Sequence, residues 1–274
     1  MQFTPLPSRG LIALSGADVP EFLQGLISND VRKLEQGPIY AALLSPQGKY
    51  VHDFFLMRVN DSILIDCEKT RMSDLVQRLS LYKLRSKVEI KSLPESDGVI
   101  AAWGGGAAIG FVDPRLPELG YRIIGNIAEG TAQCRKLGWS EGSPREYDRM
   151  RLALGVPDGS RDMIVDKSFL LEWGFEQLHG VDFNKGCYVG QEVTARSKFR
   201  GQVRKTVYKV RGKGELPEAG TPIMSGEKSI GEMRSHAGEI GLALLRIDDM
   251  ENAADLWADD LAITAERAFD DVNS

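Results

Sequence analysis

Cysteine is scarce in this 274-residue chain: Cys67, Cys134 and Cys187 are the three that occur, and they stand far apart. None belongs to a C-x-x-C pair. A disulfide framework and a preformed zinc site are therefore excluded, no resident metal is expected, and a reducing compartment fits best. Residues 1–10 hold no apolar stretch of the signal-peptide kind. No apolar run approaches the roughly 18 residues that span a bilayer. These absences lead to the expectation of a cytoplasmic protein without a membrane partner. Repeats and low-complexity tracts are also missing. Gly104-Gly105-Gly106 lacks the spacing of a dinucleotide fingerprint and reads as a loop. The net charge of -5 is too mild for a generic nucleic-acid binder.

What is present is the composition of an ordinary globular chain, 42% hydrophobic and 27% charged. Leu11-Ile12-Ala13-Leu14 reads as a short buried strand. Asp18-Val19-Pro20-Glu21 has the form of a capping box, with Asp18 as N-cap of a helix that buries Phe22, Leu23, Leu26 and Ile27. Two β-runs, 52–59 and 62–67, flank Asn60-Asp61 as a hairpin turn. Met72, Leu75, Val76 and Leu79 recur at helical spacing, and Val88 to Lys91 alternates as a half-buried strand. Strands interleaved with helices in this way predict an α+β body with an antiparallel sheet. Residues 130–142 read as a connector. Ser143-Pro144-Arg145-Glu146 opens a second helix, with Tyr147, Met150, Arg151 and Leu154 on one face and Gly155 closing it.

From about Gly201 short β-runs alternate with Gly and Pro turns, which predicts a small barrel. The expected division is a body over 1–200 and a β-barrel domain over 201–274. The last segment, 248–274, carries nine acids and Arg267 as its lone base, and reads as a solvated acidic tail.

One segment is chemically unusual: Lys185-Gly186-Cys187-Tyr188-Val189-Gly190-Gln191-Glu192. Glycines at 186 and 190 permit positive φ and would hold the thiol on a tight turn. A lysine ammonium near the sulfur would favour thiolate. Gln191 and Glu192 could begin a helix or fix the loop through backbone N–H groups. The plainer reading, on chemistry alone, is that Cys187 is a small buried hydrophobe, as Cys67 and Cys134 are expected to be.

The octapeptide, followed by Ala195-Arg196 and Arg200-Gly201, closely resembles the signature of the YgfZ family. The blocks Leu14 to Asp18, Phe22 to Gly25 and Asn29 to Val31 are similar to that family's N-terminal region. Leu44 to Lys49, Asp113-Pro114-Arg115 with Leu119-Gly120-Tyr121-Arg122, and Tyr147 to Pro157 extend the likeness over nearly the whole chain. Members bind folate and are linked to iron–sulfur protein maturation and, in some cases, to tRNA modification. The resemblance implies the fold of the aminomethyltransferase (T-protein) of the glycine cleavage system: three lobes around a central folate-sized hole, with a C-terminal β-barrel.

It also implies roles for particular residues. Tyr147 falls where the family places an aromatic beside the pterin, though it could equally be the first core residue of its helix. Glu172 falls near a pterin-binding glutamate, whose carboxylate can accept two parallel N–H bonds. Arg151 could meet a folate carboxylate or pair internally. Asp53 lies where the transferase carries a catalytic aspartate, with His52 competing for the place. The His-Asp pair, where the transferase tends to have two acids, and the Cys187 segment together favour a tetrahydrofolate-binding accessory protein. In that reading Cys187 is the functional thiol, and iron–sulfur client or assembly proteins are the partners. The rivals are a folate-dependent C1 transferase using Asp53, and an RNA-associated module using the eight bases between Arg196 and Lys213. That basic stretch could also bind a polyglutamate tail or simply face solvent.

Overall fold

A computed structural model describes residues 1–106, 109–201 and 203–270. Chain contacts divide it into two units. The first comprises Met1–Pro46, Val51–Pro144 and Leu178–Gln191; the second comprises Gln47–Tyr50, Arg145–Gln177 and the chain from Glu192 onward.

The first unit contains two five-stranded sheets. One has the order β3-β4-β5-β2-β6, built from β2 (Arg9–Ser15), β3 (Ile39–Leu44), β4 (Tyr50–Val59), β5 (Ser62–Glu68) and β6 (Glu89–Ser92). The β4–β5 hairpin turns at Asn60-Asp61 as expected, with Asn60 at φ 52, a conformation asparagine tolerates better than most residues. Helices α1 (Val19–Gln24) and α2 (Met72–Lys83) cover this sheet. Phe22, Leu23, Leu75 and Leu79 pack with Leu14, Phe54, Leu56 and Ile65 in one buried core. Asp18 does not cap α1. Its carboxylate accepts from the backbone N–H of Lys87 at 2.7 Å and so fastens a distant loop.

The other sheet has the order β10-β1-β7-β9-β8, from β1 (Gln2–Pro5), β7 (Asp97–Trp103), β8 (Phe111–Val112), β9 (Tyr121–Asn126) and β10 (Ser140–Glu141). The expected connector at 130–142 is mostly a helix, α3 (Ile127–Lys136). Asn126 caps it, accepting from Ala128 N at 3.1 Å and Glu129 N at 3.2 Å. Gly130, where the expected connector begins, is a close-packing residue within the helix: a Cβ there would lie 2.8 Å from Ile100 Cδ1. Cys134 is buried on this helix beside Phe3, Ile100 and Ala102, and Cys67 is buried in the first sheet's core.

The D-x-R and L-G-x-R residues form a buried ionic cluster within this unit. Asp66 on β5 accepts from Arg9 Nε at 2.7 Å and is bonded by Arg122 from β9. Arg115 binds Asp113 through two N–H groups, at 3.0 and 2.8 Å. The guanidiniums of Arg115 and Arg122 lie 4.7 and 4.0 Å from the centre of the Phe55 ring. Burial works against the charge on Asp113, but Arg115 and Arg122 outweigh it and hold its pKa below the usual carboxylate range.

The second unit contains α4 (Pro144–Ala153), α5 (Gly159–Asp162), α6 (Gln191–Phe199), which begins at its boundary, and a closed six-stranded barrel. The strands are β11 (Lys205–Gly212), β12 (Pro222–Ser225), β13 (Lys228–Ala237), β14 (Ile240–Arg246), β15 (Leu256–Ala258) and β16 (Leu261–Arg267), with a short helix α7 (Ile247–Met250) after β14. Closure runs β11-β14-β13-β12-β15-β16. The acidic segment expected to be a tail therefore supplies barrel wall: β16 pairs with β11, and Leu256, Ala258 and Ile263 join the barrel core. The alternation of a strand lets outward acids coexist with inward aliphatics, which a charge count cannot reveal. Residues 271–274 of that segment lie outside the described residues.

Candidate functional site

The Cys187 segment is held by the C-terminal end of α1. The last carbonyls of a helix have no partner within it. Lys185 supplies one: its Nζ donates to Gln24 O at 2.5 Å and to Ile27 O at 2.7 Å. The ammonium also lies 4.7 Å from the centre of the Tyr188 ring. Gln24 reciprocates, its Nε2 donating to Lys185 O at 3.0 Å while its Oε1 accepts from Val31 N at 2.9 Å. Val189 N donates to Gly25 O at 3.2 Å, and Val189 packs on the sheet core. Upstream, Ser28 Oγ donates to Gly180 O at 2.6 Å, and Asn29 Nδ2 donates to His179 O at 2.7 Å.

Between these anchors Cys187 is exposed. Gly186 and Gly190 sit at φ 93 and 81, the left-handed region where a Cβ is strained. No atom lies within 4 Å of a Cβ placed on Gly186, so backbone conformation and not crowding requires the glycine. Tyr188 N donates to Gln191 Oε1 at 3.1 Å, which closes the turn. Glu192 and Arg196 form an exposed ion pair one turn apart on α6. Gln24 and Asn29 lie within the motif blocks, but nothing in the sequence gave them a role. Their partners lie 161 and 150 residues away, a separation no local pattern encodes.

Lys185 is only 6% exposed, and burial pulls its pKa down to about 8. Between about 8 and 10.5 the unfolded chain binds the extra proton, so this residue's contribution favours folding more as pH rises through that window. Lys185→Met leaves two carbonyls unpaired and is expected to cost about 1–3 kcal/mol. Urea titrations of both proteins across the window should show the gap widening with pH.

Asp53 and His52 are neighbours on β4 and so face opposite ways. Asp53 accepts from Tyr40 Oη at 2.9 Å, on the face that carries Phe55 and the arginines. His52 Nε2 meets Asp74 of α2 at 2.7 Å. Burial, with Arg71 nearby, lowers the imidazole pKa to about 4, so His52 is neutral near pH 7.

In the second unit Tyr147 lies on α4 with 7% of its surface exposed. Arg151 does not face a ligand: it bonds Asp148, Val156 O, Asp162 and Ser235 Oγ, at 2.7–2.9 Å, with 3% of its surface exposed. Of its two sequence readings, the structure shows internal pairing. Glu172 differs. Burial raises its carboxyl pKa, against the pull of the Phe169 N–H and of Lys205 and Lys49. Its one hydrogen bond among the described residues is that weak contact from Phe169 N at 3.3 Å. Trp173 next to it is buried with its indole N–H unpartnered among the described residues. Of the eight bases between Arg196 and Lys213, Arg196, Lys198 and Lys209 are paired with Glu192, Glu176 and Glu266. The stretch, in which Gln202 lies outside the described residues, is thus less positive than its composition.

Among the described residues no three His, Cys, Asp or Glu side chains converge on a metal-sized site, and no helix is long and apolar enough to cross a membrane.

Comparison with known proteins bears on these features. Residues 204–269 match the family model of the CAF17 C-terminal beta-barrel domain. The chain is 35% identical over 223 residues to the iron-sulfur cluster assembly factor IBA57 homolog, mitochondrial, of Mycosarcoma maydis, covering 74% of this chain and 55% of that protein. It thus spans about half the length of that relative. It is 31% identical to the Pyricularia oryzae homolog, covering 90% of this chain and 72% of that one. Identity to the human IBA57 is also 31%, covering 88% and 76%. A crystal structure of the glycine cleavage system aminomethyltransferase T from Bartonella henselae superposes with a TM-score of 0.75, covering 96% of this chain and 84% of that one, at 14% identity. The expected fold, an aminomethyltransferase-like body with a C-terminal barrel, is therefore correct. The expected cytoplasmic location is not: the relatives are named as mitochondrial, which overturns it.

Proposed function

The chain belongs to the family of the IBA57 iron–sulfur cluster assembly factors, and on that premise we propose that it supports iron–sulfur cluster assembly or repair, binds tetrahydrofolate, and uses Cys187 as its functional thiol. The observation that carries this reading is the exposed sulfur on a loop pinned to α1 by Lys185 and Gln24. A thiol needed only for packing would not be displayed on so firm a mount. One thiolate cannot hold a cluster, which takes about four such ligands. A partner protein supplies the others, and Cys187 joins transiently during assembly or transfer. The octapeptide's likeness to the YgfZ signature supports the same role.

The second unit's residues fit a folate. Glu172 is a half-buried carboxylate short of hydrogen-bond donors, and Trp173 carries a buried indole N–H with no acceptor among the described residues. A pterin has both complements: an aminopyrimidine edge that donates and ring atoms that accept. Tyr147 adds a flat face. Arg151 is saturated and is left out of the binding set. When bound, tetrahydrofolate supplies a carrier for one-carbon groups. This chain's part is to orient the ring through Glu172, whose carboxylate is short of donors.

Titration of the purified protein with tetrahydrofolate tests the folate reading. Saturable binding is expected, weakened about 10-fold in Glu172→Gln by loss of a charge-assisted bond. Absence of binding would remove folate from the proposal. The RNA reading has less support, since three of the eight bases are already paired.

A further inference from the structure

The last turn of α2 and the turn that follows it expose apolar surface without visible need. Leu81, Tyr82 and Leu84 are 71, 40 and 89% exposed. Leu84 has φ 43 and ψ -108, and Ser86 N donates to Lys83 O at 2.8 Å. These values describe a turn close to type II′ with Leu84 at its first central position, which strongly prefers glycine. A leucine here is strained and gains nothing from burial. Strain in an exposed position points to a role outside the folded chain.

The turn is also rigidly mounted. Lys87 N is held by the Asp18 carboxylate, and Gly16, at φ 121, lies so near Lys87 O that a Cβ would be 2.0 Å from it. Along its own segment the charge is one-sided, with the Asp18 carboxylate taken up by Lys87 N. No acid occurs between Leu75 and Val88, and Lys83, Arg85 and Lys87 have no ion pair among the described residues. Arg85, Leu84, Ser86 and Asp18 line an open depression of about 710 Å3. The mounting point matters too. Asp18 stands at the start of α1, and Lys185 binds its far end, so the turn and the Cys187 loop are fastened to opposite ends of one helix. At 6 residues that helix is about 9 Å long.

We propose that the turn 81–87 is a docking surface for an acidic protein that receives or donates an iron–sulfur cluster, with Leu84 as the apolar anchor and the three bases as its rim. This rests on the assembly reading given above. An apolar anchor ringed by like charges is the usual arrangement of a protein interface hot spot and its steering rim. A membrane is the weaker occupant, because two leucines and a tyrosine on a turn present far less apolar surface than an interfacial helix.

The test places a photocrosslinker at the turn in the full chain, as Tyr82→benzoylphenylalanine, in cells. The expected adduct is an acidic protein that itself carries or receives an iron–sulfur cluster, with yield falling about 10-fold when Lys83→Glu and Arg85→Glu are added. Leu84→Gly should lower the yield comparably while raising the melting temperature by about 1–3 °C, because it removes strain. That combination separates lost docking from lost folding. An adduct of the chain with itself, adducts confined to neutral or basic proteins, or none at all would overturn the proposal. So would charge-dependent flotation of the pure protein with phosphatidylglycerol vesicles in place of a protein adduct. Cys187→Ser distinguishes the two readings: if the adduct persists and cluster activity is also unaffected, the thiol reading fails while the docking surface stands.

Discussion

In cells lacking this protein, Cys187→Ser is expected to leave cluster-dependent enzyme activity at the level of cells given no copy, while the purified variant melts within about 2 °C of the wild type. The two halves of this expectation come from the same geometry. Cys187 is exposed and makes no hydrogen bond among the described residues, so nothing in the fold depends on its sulfur. The mount, by contrast, involves Lys185, Gln24 and Val189, all untouched by the change. Serine matches the thiol in shape, but a neutral hydroxyl is a poor ligand for iron where thiolate is the standard one. Activity assays of cluster enzymes in complemented cells, beside thermal melts, read both halves. Full rescue by Cys187→Ser would end the thiol's role. Partial rescue with a lowered melting temperature would show that the sulfur serves the fold.

The largest effect on stability is expected from Asp66→Asn, which should destabilise the protein by about 3–5 kcal/mol. Asp66 is fully buried and receives Arg9 from β2 and Arg122 from β9, strands of the first unit's two different sheets. The amide keeps the volume and loses the charge. Two guanidiniums, 8 and 2% exposed, would then lose the carboxylate they share, with Asp113 at 3.5 Å from Arg122 left to offset part of the charge. The penalty is that of an uncompensated buried cation, which exceeds the loss of the hydrogen bonds themselves. It is a large share of the about 5–15 kcal/mol that holds a typical protein folded. Urea unfolding followed by tryptophan fluorescence measures it. Replacing Asp66 and Arg122 together with leucine and methionine should recover part of the loss, because no unpaired charge remains in the pair. A loss below about 1 kcal/mol for Asp66→Asn would mean that the cluster is solvated or redundant.

The kind of each element was mostly legible where periodicity was strong. The β4–β5 hairpin, α2 and the barrel strands follow from alternation, helical spacing and turn residues, signals that depend on near neighbours. Reading failed where a residue's usual local meaning was set aside by a distant contact. The stretch from Gly130 suggested a connector, and Gly130 is a packing surface for Ile100 on a helix. Asp18 suggested a cap and holds Lys87 instead. The acids after Asp248 suggested a tail, yet the aliphatic residues between them close the barrel.

The site divides along the same line. Residue order determined that a thiol sits between glycines and two residues after a lysine, and the motif pointed to the YgfZ proteins, where the relatives found are IBA57 iron–sulfur cluster assembly factors. Whether that thiol was core or surface, the order of residues left open. The tertiary structure decided it by bringing the end of α1 to Lys185 across 161 residues, so that the ammonium holds backbone carbonyls and the sulfur is left outside. Likewise the sequence offered Arg151 two partners, and the fold surrounded it with Asp148, Asp162 and Ser235. The physical reason is common to both. Composition and spacing set which groups can bond, but a buried charge must find its partners wherever the folded chain brings them, and those partners are far away in sequence.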